Sequence, residues 1–428
     1  MSYPNPPRYC FCWLVLALLV LPATARSREN LLAGSLALRQ EYDSNVNLSE
    51  DQPRSAWYSV LAPGLDLTSR GRTDLLQLRY NLGIRYNHSS GGDSLDHDFL
   101  LRGESELSPR WRAGITNRFY ISDDSDFAGE PIPEVDPELS AGRERERFRL
   151  NTFVLSSDYQ FGPGGTMGLG YENRILRHQS GTRDDYTRHH PTLNVGYRFN
   201  RQWGAEAGYG YIKGDFDRGD DLETHDLSLG LNYQATSRDR LSLGYGFNDT
   251  TYQGLTPDYR LHSFNGGWEH RFSPHATLAT RVGLVRIDRA GGADGSYFSF
   301  ALDLSRQLQR GSFSVGGRGG IDELQFAGGD EGDLSRYQQA QAAGRYQLSR
   351  GLMGELDLSL RRNEFIDRPG PNREWIYQAG CGLSYDLGRG YQLATRYRYK
   401  ELDADGGDDY QDHRLLLELR MVHDLMKW

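Results

Sequence analysis

Cysteine is almost missing from this chain. Of 428 residues three are cysteine, and Cys10 and Cys12 lie in an N-terminal apolar run. Removal of that run leaves only Cys381, which excludes an intramolecular disulfide and a cysteine-based metal cluster. Long apolar runs are scarce as well: 10–21 stands alone and is too short to span a bilayer as a helix. A mean hydropathy of -0.67 is too polar for a helical membrane protein. No Walker motif, GxGxxG or CxxC occurs in the mature chain. His97, His189 and His190 have no serine nucleophile in an identifiable context, so catalysis has no visible foothold. The histidine pair beside Pro191 fits a strand end instead. No cofactor or metal is implied. The formal charge is -9, and a global acidic balance argues against nucleic acid as a partner.

The apolar run follows Arg8 and precedes Ala23-Thr24-Ala25, a small-residue site. Charged start, apolar middle and small-residue end read as a secretory signal peptide over residues 1–25, the alternative being an N-terminal anchor helix. Cys10 and Cys12 begin the run instead of following it, so they form no lipoprotein attachment site. Residues 26–428 are then expected to form one domain.

What the chain does have is alternation. In D-L-L-Q-L-R-Y-N-L-G-I-R-Y-N at 74–87, Leu76, Leu78, Tyr80, Leu82, Ile84 and Tyr86 fall on one parity. Gln77, Arg79, Asn81, Gly83, Arg85 and Asn87 fall on the other. Period two is the signature of a strand, here with one wholly apolar face. The pattern recurs along the whole chain, giving about twenty strands within a range of sixteen to twenty. Pro63, inside the second strand, predicts a bulge or a position near a rim.

Short connections near residues 70, 109, 163, 201, 237, 274, 310, 349 and 388 alternate with longer ones rich in Asp and Gly. A solenoid or propeller would also be periodic, but no four-strand blade motif is visible. Short turns at one end and long polar loops at the other fit a closed antiparallel transmembrane β-barrel, with periplasmic turns and extracellular loops. Trp57, Trp111, Trp203, Trp268 and Trp375 cluster toward strand ends, as girdles at two headgroup levels require. The terminal Trp428 resembles the C-terminal signature read by the barrel assembly machinery. Asp424 interrupts its parity, and a bulge near His423 would reconcile the two halves of the last strand.

Parity also predicts the lumen lining. Arg39, Arg79, Arg85, Arg102, Arg112 and Arg118 point inward on the first five strands; Arg396, Arg398, Arg414 and Arg420 do so on the last two. Closure would merge them into one basic wall. Guanidinium groups bind carboxylate or phosphate bidentately, so an anion-favouring path is one reading. Neutralisation by Glu104, Glu106 and Glu418 in structural ion pairs is the other. The acidic loops 403–409 and 328–333 carry oxygen ligands without calcium-loop spacing, and read as solvated loops. Loop 123–143, with Pro131, Pro133 and Pro137, could fold inward as a constriction.

E-Y-D-S-N-V at 41–46 and A-P-G-L-D-L at 62–67 resemble the start of the outer-membrane β-barrel porins found with exopolysaccharide and exosortase loci. R-T-D-L-L-Q-L-R-Y at 72–80 and D-H-D-F-L at 96–100 fit the same pattern. The resemblance covers only the first hundred residues and brings no catalytic residues. It implies an outer-membrane barrel tied to export of an extracellular polysaccharide. The expectation is a non-enzymatic channel in contact with outer-membrane lipid and lipopolysaccharide, passing an anionic solute or polysaccharide. A plugged docking barrel of a secretion complex and an outer-membrane lipid hydrolase are the alternatives.

Overall fold

The computed structural model describes residues 28–123, 147–179, 185–291, 294–326, 334–366, 373–406 and 409–428. The expected signal peptide and loop 124–146 lie outside these, as do residues 327–333 and 407–408 of the two acidic loops. The strands are β1 (Glu29–Asp43), β2 (Ala56–Arg70), β3 (Asp74–Asn87), β4 (Asp93–Ser108), β5 (Trp111–Ser122), β6 (Phe148–Phe161) and β7 (Gly165–His178). There follow β8 (Tyr186–Arg198), β9 (Trp203–Phe216), β10 (Leu222–Gln234), β11 (Asp239–Tyr252), β12 (Tyr259–Ser273), β13 (Ala276–Arg289) and β14 (Gly295–Leu308). The last are β15 (Gly311–Glu323), β16 (Leu334–Ser349), β17 (Leu352–Phe365), β18 (Arg373–Gly388), β19 (Tyr391–Ala404) and β20 (Tyr410–Lys427).

Each strand is antiparallel to the next, and β1 also pairs with β20 from Leu31↔Lys427 to Asp43↔Arg414. The 20-stranded sheet therefore closes on itself. Closure removes the edge, which is what lets a sheet sit in lipid with its backbone satisfied. Asn30 and Trp428 exchange backbone hydrogen bonds of 2.9 and 3.1 Å, so the start of β1 and the end of β20 share the rim that carries the short turns.

The alternation becomes two surfaces. On β3, Tyr80, Ile84 and Tyr86 are exposed on the outside, while Gly83 and Arg85 are buried on the inside. Leu243, Phe264, Leu284 and Phe298 are likewise more than half exposed on the outer face. So much exposed apolar surface belongs against acyl chains.

Two local expectations change, and a third is met. Pro63 sits mid-strand without a bulge: β2 pairs with β3 at Leu61↔Ile84 and again at Gly64↔Asn81 in the same register. The missing N–H leaves a gap in the ladder instead. Pro191 does the same between His189↔Lys213 and Thr192↔Gly210, and the adjacent histidines lie inside β8, not at its end. The last strand does carry a register shift. Leu32 faces Met426 and Ala33 faces Asp424, so Leu425 is the extra residue and both halves of β20 keep their apolar side outward.

A repeated contact marks the outer face. Tyr80, Tyr171, Tyr209, Tyr245 and Tyr397 share hydrogen bonds of 2.8–3.0 Å with Nδ1 of His97, His189, His225, His262 and His413. Each histidine stands three or four residues into a strand that follows an extracellular loop. The pairs thus form a polar belt at one level near the extracellular rim.

Candidate functional site

The lumen wall is built around the β1–β20 seam. Parity turns Arg396 and Arg398 of β19, Arg414 and Arg420 of β20, Arg39 of β1 and Arg79 and Arg85 of β3 inward. Acids of the same parity accompany most of them. Arg39 Nε is 2.7 Å from Glu418 across the seam, and its Nη1 is 3.7 Å from Glu41. Arg414 Nε lies 2.8 Å from Asp412 and 3.3 Å from Asp43. The buried Arg85 reaches Glu41 at 3.3 Å, Asp123 at 3.2 Å and Asp96 at 3.9 Å. Its guanidinium also lies 5.0 Å from the Tyr58 ring centre. Arg79 stands opposite Asp66 in the β2–β3 register.

Arg102, Arg112 and Arg118 line β4 and β5, further along the wall, and each has its own acid. Arg102 bonds Glu104, Arg112 lies 3.3 Å from Glu106, and Arg118 lies 3.2 Å from Asp98. The pairing through Glu104, Glu106 and Glu418 is therefore present, and Glu41, Asp43, Asp96, Asp98 and Asp412 extend it. Their shared parity with the arginines was the available signal.

Two inward arginines stand apart. Arg396 is flanked in register by Gly382 and Leu416, and Arg420 by Gln392 and Ala37. Neither has a carboxylate as its register partner, and Glu418, two residues from Arg420 on the same face, is engaged by Arg39. Asp357 is one column away, sharing its row with Gly380 and Arg398, and lies in the field of Arg398 and Arg396.

The opposite wall departs from a polar lumen. Tyr120, Phe148, Leu176, Tyr186 and Leu222, inward near the extracellular ends of β5–β8 and β10, form a buried apolar cluster with Phe326. Tyr259, Leu261, Ile287 and Leu334 form a second, and Tyr252 touches both. An apolar collar thus runs inside the extracellular mouth, facing the basic seam.

Phe326 reaches this collar from across the lumen. β15 pairs with β14 only as far as Phe300↔Gly319, while pairing with β16 continues to Glu323↔Leu334. Gly316, Gly317 and Gly319 lead up to the freed tip and Gly320 opens it, and their absent side chains ease bending. Glu323 accepts hydrogen bonds from Tyr259 Oη (2.9 Å) and Asn248 Nδ2 (3.3 Å). Phe326 then packs on Tyr186 and Phe216 with ring centres 5.0 and 5.3 Å apart, and lies 5.0 Å from the Arg188 guanidinium. Strands β10–β14 separate β15 from these partners along the wall, so the contact spans the lumen. The inward constriction among the described residues comes from this tip, whereas the loop expected to supply it lies outside them.

The molecule these observations define is a closed transmembrane β-barrel of twenty strands with a charged seam and an apolar collar. No protein-family model matches the chain, and no curated protein does. Among solved structures it is similar to the ferric enterobactin receptor PfeA from Pseudomonas aeruginosa, with a TM-score of 0.53 and 9% identity over 92% of this chain and 80% of that one. It is also similar to the outer membrane protein OpdK from Pseudomonas aeruginosa (TM-score 0.43, 13% identity, 92% of this chain and 99% of that one). OccK5 (OpdH) from the same organism gives a TM-score of 0.44 and 14% identity over 93% and 98%. At such identities the likeness concerns the fold alone.

Proposed function

We propose that this chain is an outer-membrane channel that passes anionic solutes along the seam, without catalysing a reaction on them. The observation that carries this reading is the pair Arg396 and Arg420, inward cations whose register neighbours are uncharged. Most of the other wall arginines are matched by acids and set the shape of the lining; these two leave positive potential facing the path. Outer-membrane residence, a cleaved leader and assembly through Trp428 belong to the same proposal, as does a carboxylated extracellular polysaccharide as the finer choice of solute.

Planar-bilayer recording on the full-length barrel tests it. The wild type is expected to favour anions, and Arg396→Glu/Arg420→Glu to shift the reversal potential toward cation preference. Cation selectivity in the wild type, or no conductance at all, sinks the proposal. A second reading, a closed docking barrel of a secretion complex, is favoured by the collar and by Phe326. It requires a silent wild type that conducts once Phe326 is truncated. Hydrolysis of phospholipid by the folded barrel would instead revive the lipid-hydrolase alternative.

A further inference from the structure

The lipid-facing side carries a cation pair that the channel does not use. Arg149 of β6 and Arg177 of β7 stand directly opposite each other in register. Both have the outward parity of Leu155 and Leu169, which are exposed on the same strands. Like charges so placed, with Cβ atoms about 4.5–5.5 Å apart, repel and destabilise the ladder. In the lumen the chain answers such crowding with carboxylates. Here the next outward residue on β5 is Ile121. Among the described residues no carboxylate pairs with Arg149 or Arg177.

The surroundings look prepared for an anion. Arg177 is held in place, its Nη1 donating to the Leu176 carbonyl at 2.9 Å and its Nη2 to Thr187 Oγ1 at 3.0 Å. Arg147, just before β6, donates to the Leu95 carbonyl and adds a third guanidinium at this rim. Toward the membrane centre the outer face changes in steps. First come amides and an imidazole: Asn151 accepts from Asn117 at 3.0 Å, and Asn173 lies beside His189 of the Tyr–His belt. Ile175 stands in register with Asn151 and Phe153 with Asn173, so apolar side chains are interleaved with the amides, and Leu155 and Leu169 follow further in. Successive residues on one strand face are roughly 7 Å apart. The surface therefore runs from guanidinium to amide to hydrocarbon contact within three same-face positions of β6.

We infer that the outer face of β6–β8 binds a phosphorylated, N-acylated glycolipid of the outer leaflet, its phosphate shared between Arg149 and Arg177. The phosphate supplies the missing counter-charge bidentately. The amides meet the sugar and its amide groups, and the apolar side chains beside and beyond them meet the acyl chains. The inference rests on the outer-membrane reading above, and is independent of whether the barrel conducts.

The test uses full-length protein extracted in detergent from fractionated cells, with binding of bisphosphorylated lipid A, its dephosphorylated form and inorganic phosphate measured by native mass spectrometry. The wild type is expected to bind the phosphorylated lipid at least about tenfold more tightly than the dephosphorylated one. Arg149→Gln/Arg177→Gln should lose roughly that tenfold, while Arg260→Gln/Arg286→Gln, elsewhere on the outer face, should not. Unchanged heat-modifiable gel migration of each variant establishes that it is folded. Equal binding of both lipids, or an unaffected double variant, overturns the site. Inorganic phosphate binding as tightly as the lipid overturns the lipid assignment. Recovery of the protein outside the outer-membrane fraction overturns the location and the site together, whereas an outer-membrane barrel indifferent to phosphate overturns the site alone.

Discussion

Arg85 illustrates how a single charged side chain can be both costly and necessary. Its side chain is 3% exposed and shares Glu41, Asp96 and Asp123. Burying a guanidinium is expensive, and three carboxylates at bonding or near-bonding distance offset that cost. Removing the cation takes Arg85 away from the buried Asp96 and the half-buried Glu41. Arg85→Ala should therefore lose about 3–5 kcal/mol, the usual penalty for breaking a buried pair from one side. Urea unfolding in vesicles, followed by tryptophan fluorescence, measures this; a loss below about 1 kcal/mol would mark an ordinary surface pair. Parity alone places Arg85 on the inner face, because the strand is regular there. It cannot say that Arg396 and Arg420 have uncharged register partners, since that depends on how neighbouring strands align.

At the scale of elements, the β15–β16 tip sets the width of the extracellular mouth. Phe326 is its anchor, and Phe326→Ala should release the tip from β8 and β9 and raise single-channel conductance. An unchanged conductance with unchanged noise would mean that the tip does not obstruct the path. The same loops carry a pH-sensitive link. Between β9 and β10, Asp220 accepts hydrogen bonds from the Thr256 backbone N–H at 2.7 Å and Thr256 Oγ1 at 2.8 Å. These hold its carboxyl below the usual carboxylate range, the backbone bond contributing most. A lowered folded value means the link stabilises the loop above the ordinary carboxylate value and is lost as pH falls through the folded one. Amide protection in 253–258 should accordingly fall on moving from pH 6 to pH 3, and Asp220→Ala should flatten that dependence.

The strand bodies are legible in sequence because lipid demands an apolar residue at every second position. Beyond the hydrocarbon this demand ends, yet the strands continue. Alternation therefore marks β8 from about residue 192, though the ladder begins at Tyr186, and β10 from about 227, though it begins at Leu222. The collar lives in those unmarked ends, where inward apolar and outward polar residues reverse the usual rule. Phe326 lies past the end of β15 with no periodicity to announce it.

For the whole molecule, the solvent of the outer surface decides which substitutions hurt. Leu243 is 65% exposed, a position where a charged replacement would be harmless in a water-soluble protein. In a bilayer Leu243→Arg should cost about 2–4 kcal/mol if the residue lies near the midplane. The measurement is again urea unfolding, in vesicles, and a neutral result would contradict lipid contact at this face. The twenty-strand closure was readable from the count of alternating segments and from the two kinds of connection. The irregularity that joins the two ends was readable as a parity break near His423, but not that Leu425 is the residue displaced from the ladder.

That closure has a consequence for biosynthesis. The ion pairs Arg39–Glu418 and Arg414–Asp43 join the first strand to the last, so they form only when the final residues have arrived. A slip of one residue at this seam would turn Arg414 and Glu418 toward lipid and take them away from Asp43 and Arg39. The seam is thus a proofreading device: it rewards one alignment of β1 with β20 and penalises its neighbours with buried charge. A chain released early, lacking β20, would lack Arg414 and Arg420 of the basic wall as well as the strand that closes it, so an incomplete barrel could not counterfeit the finished pathway.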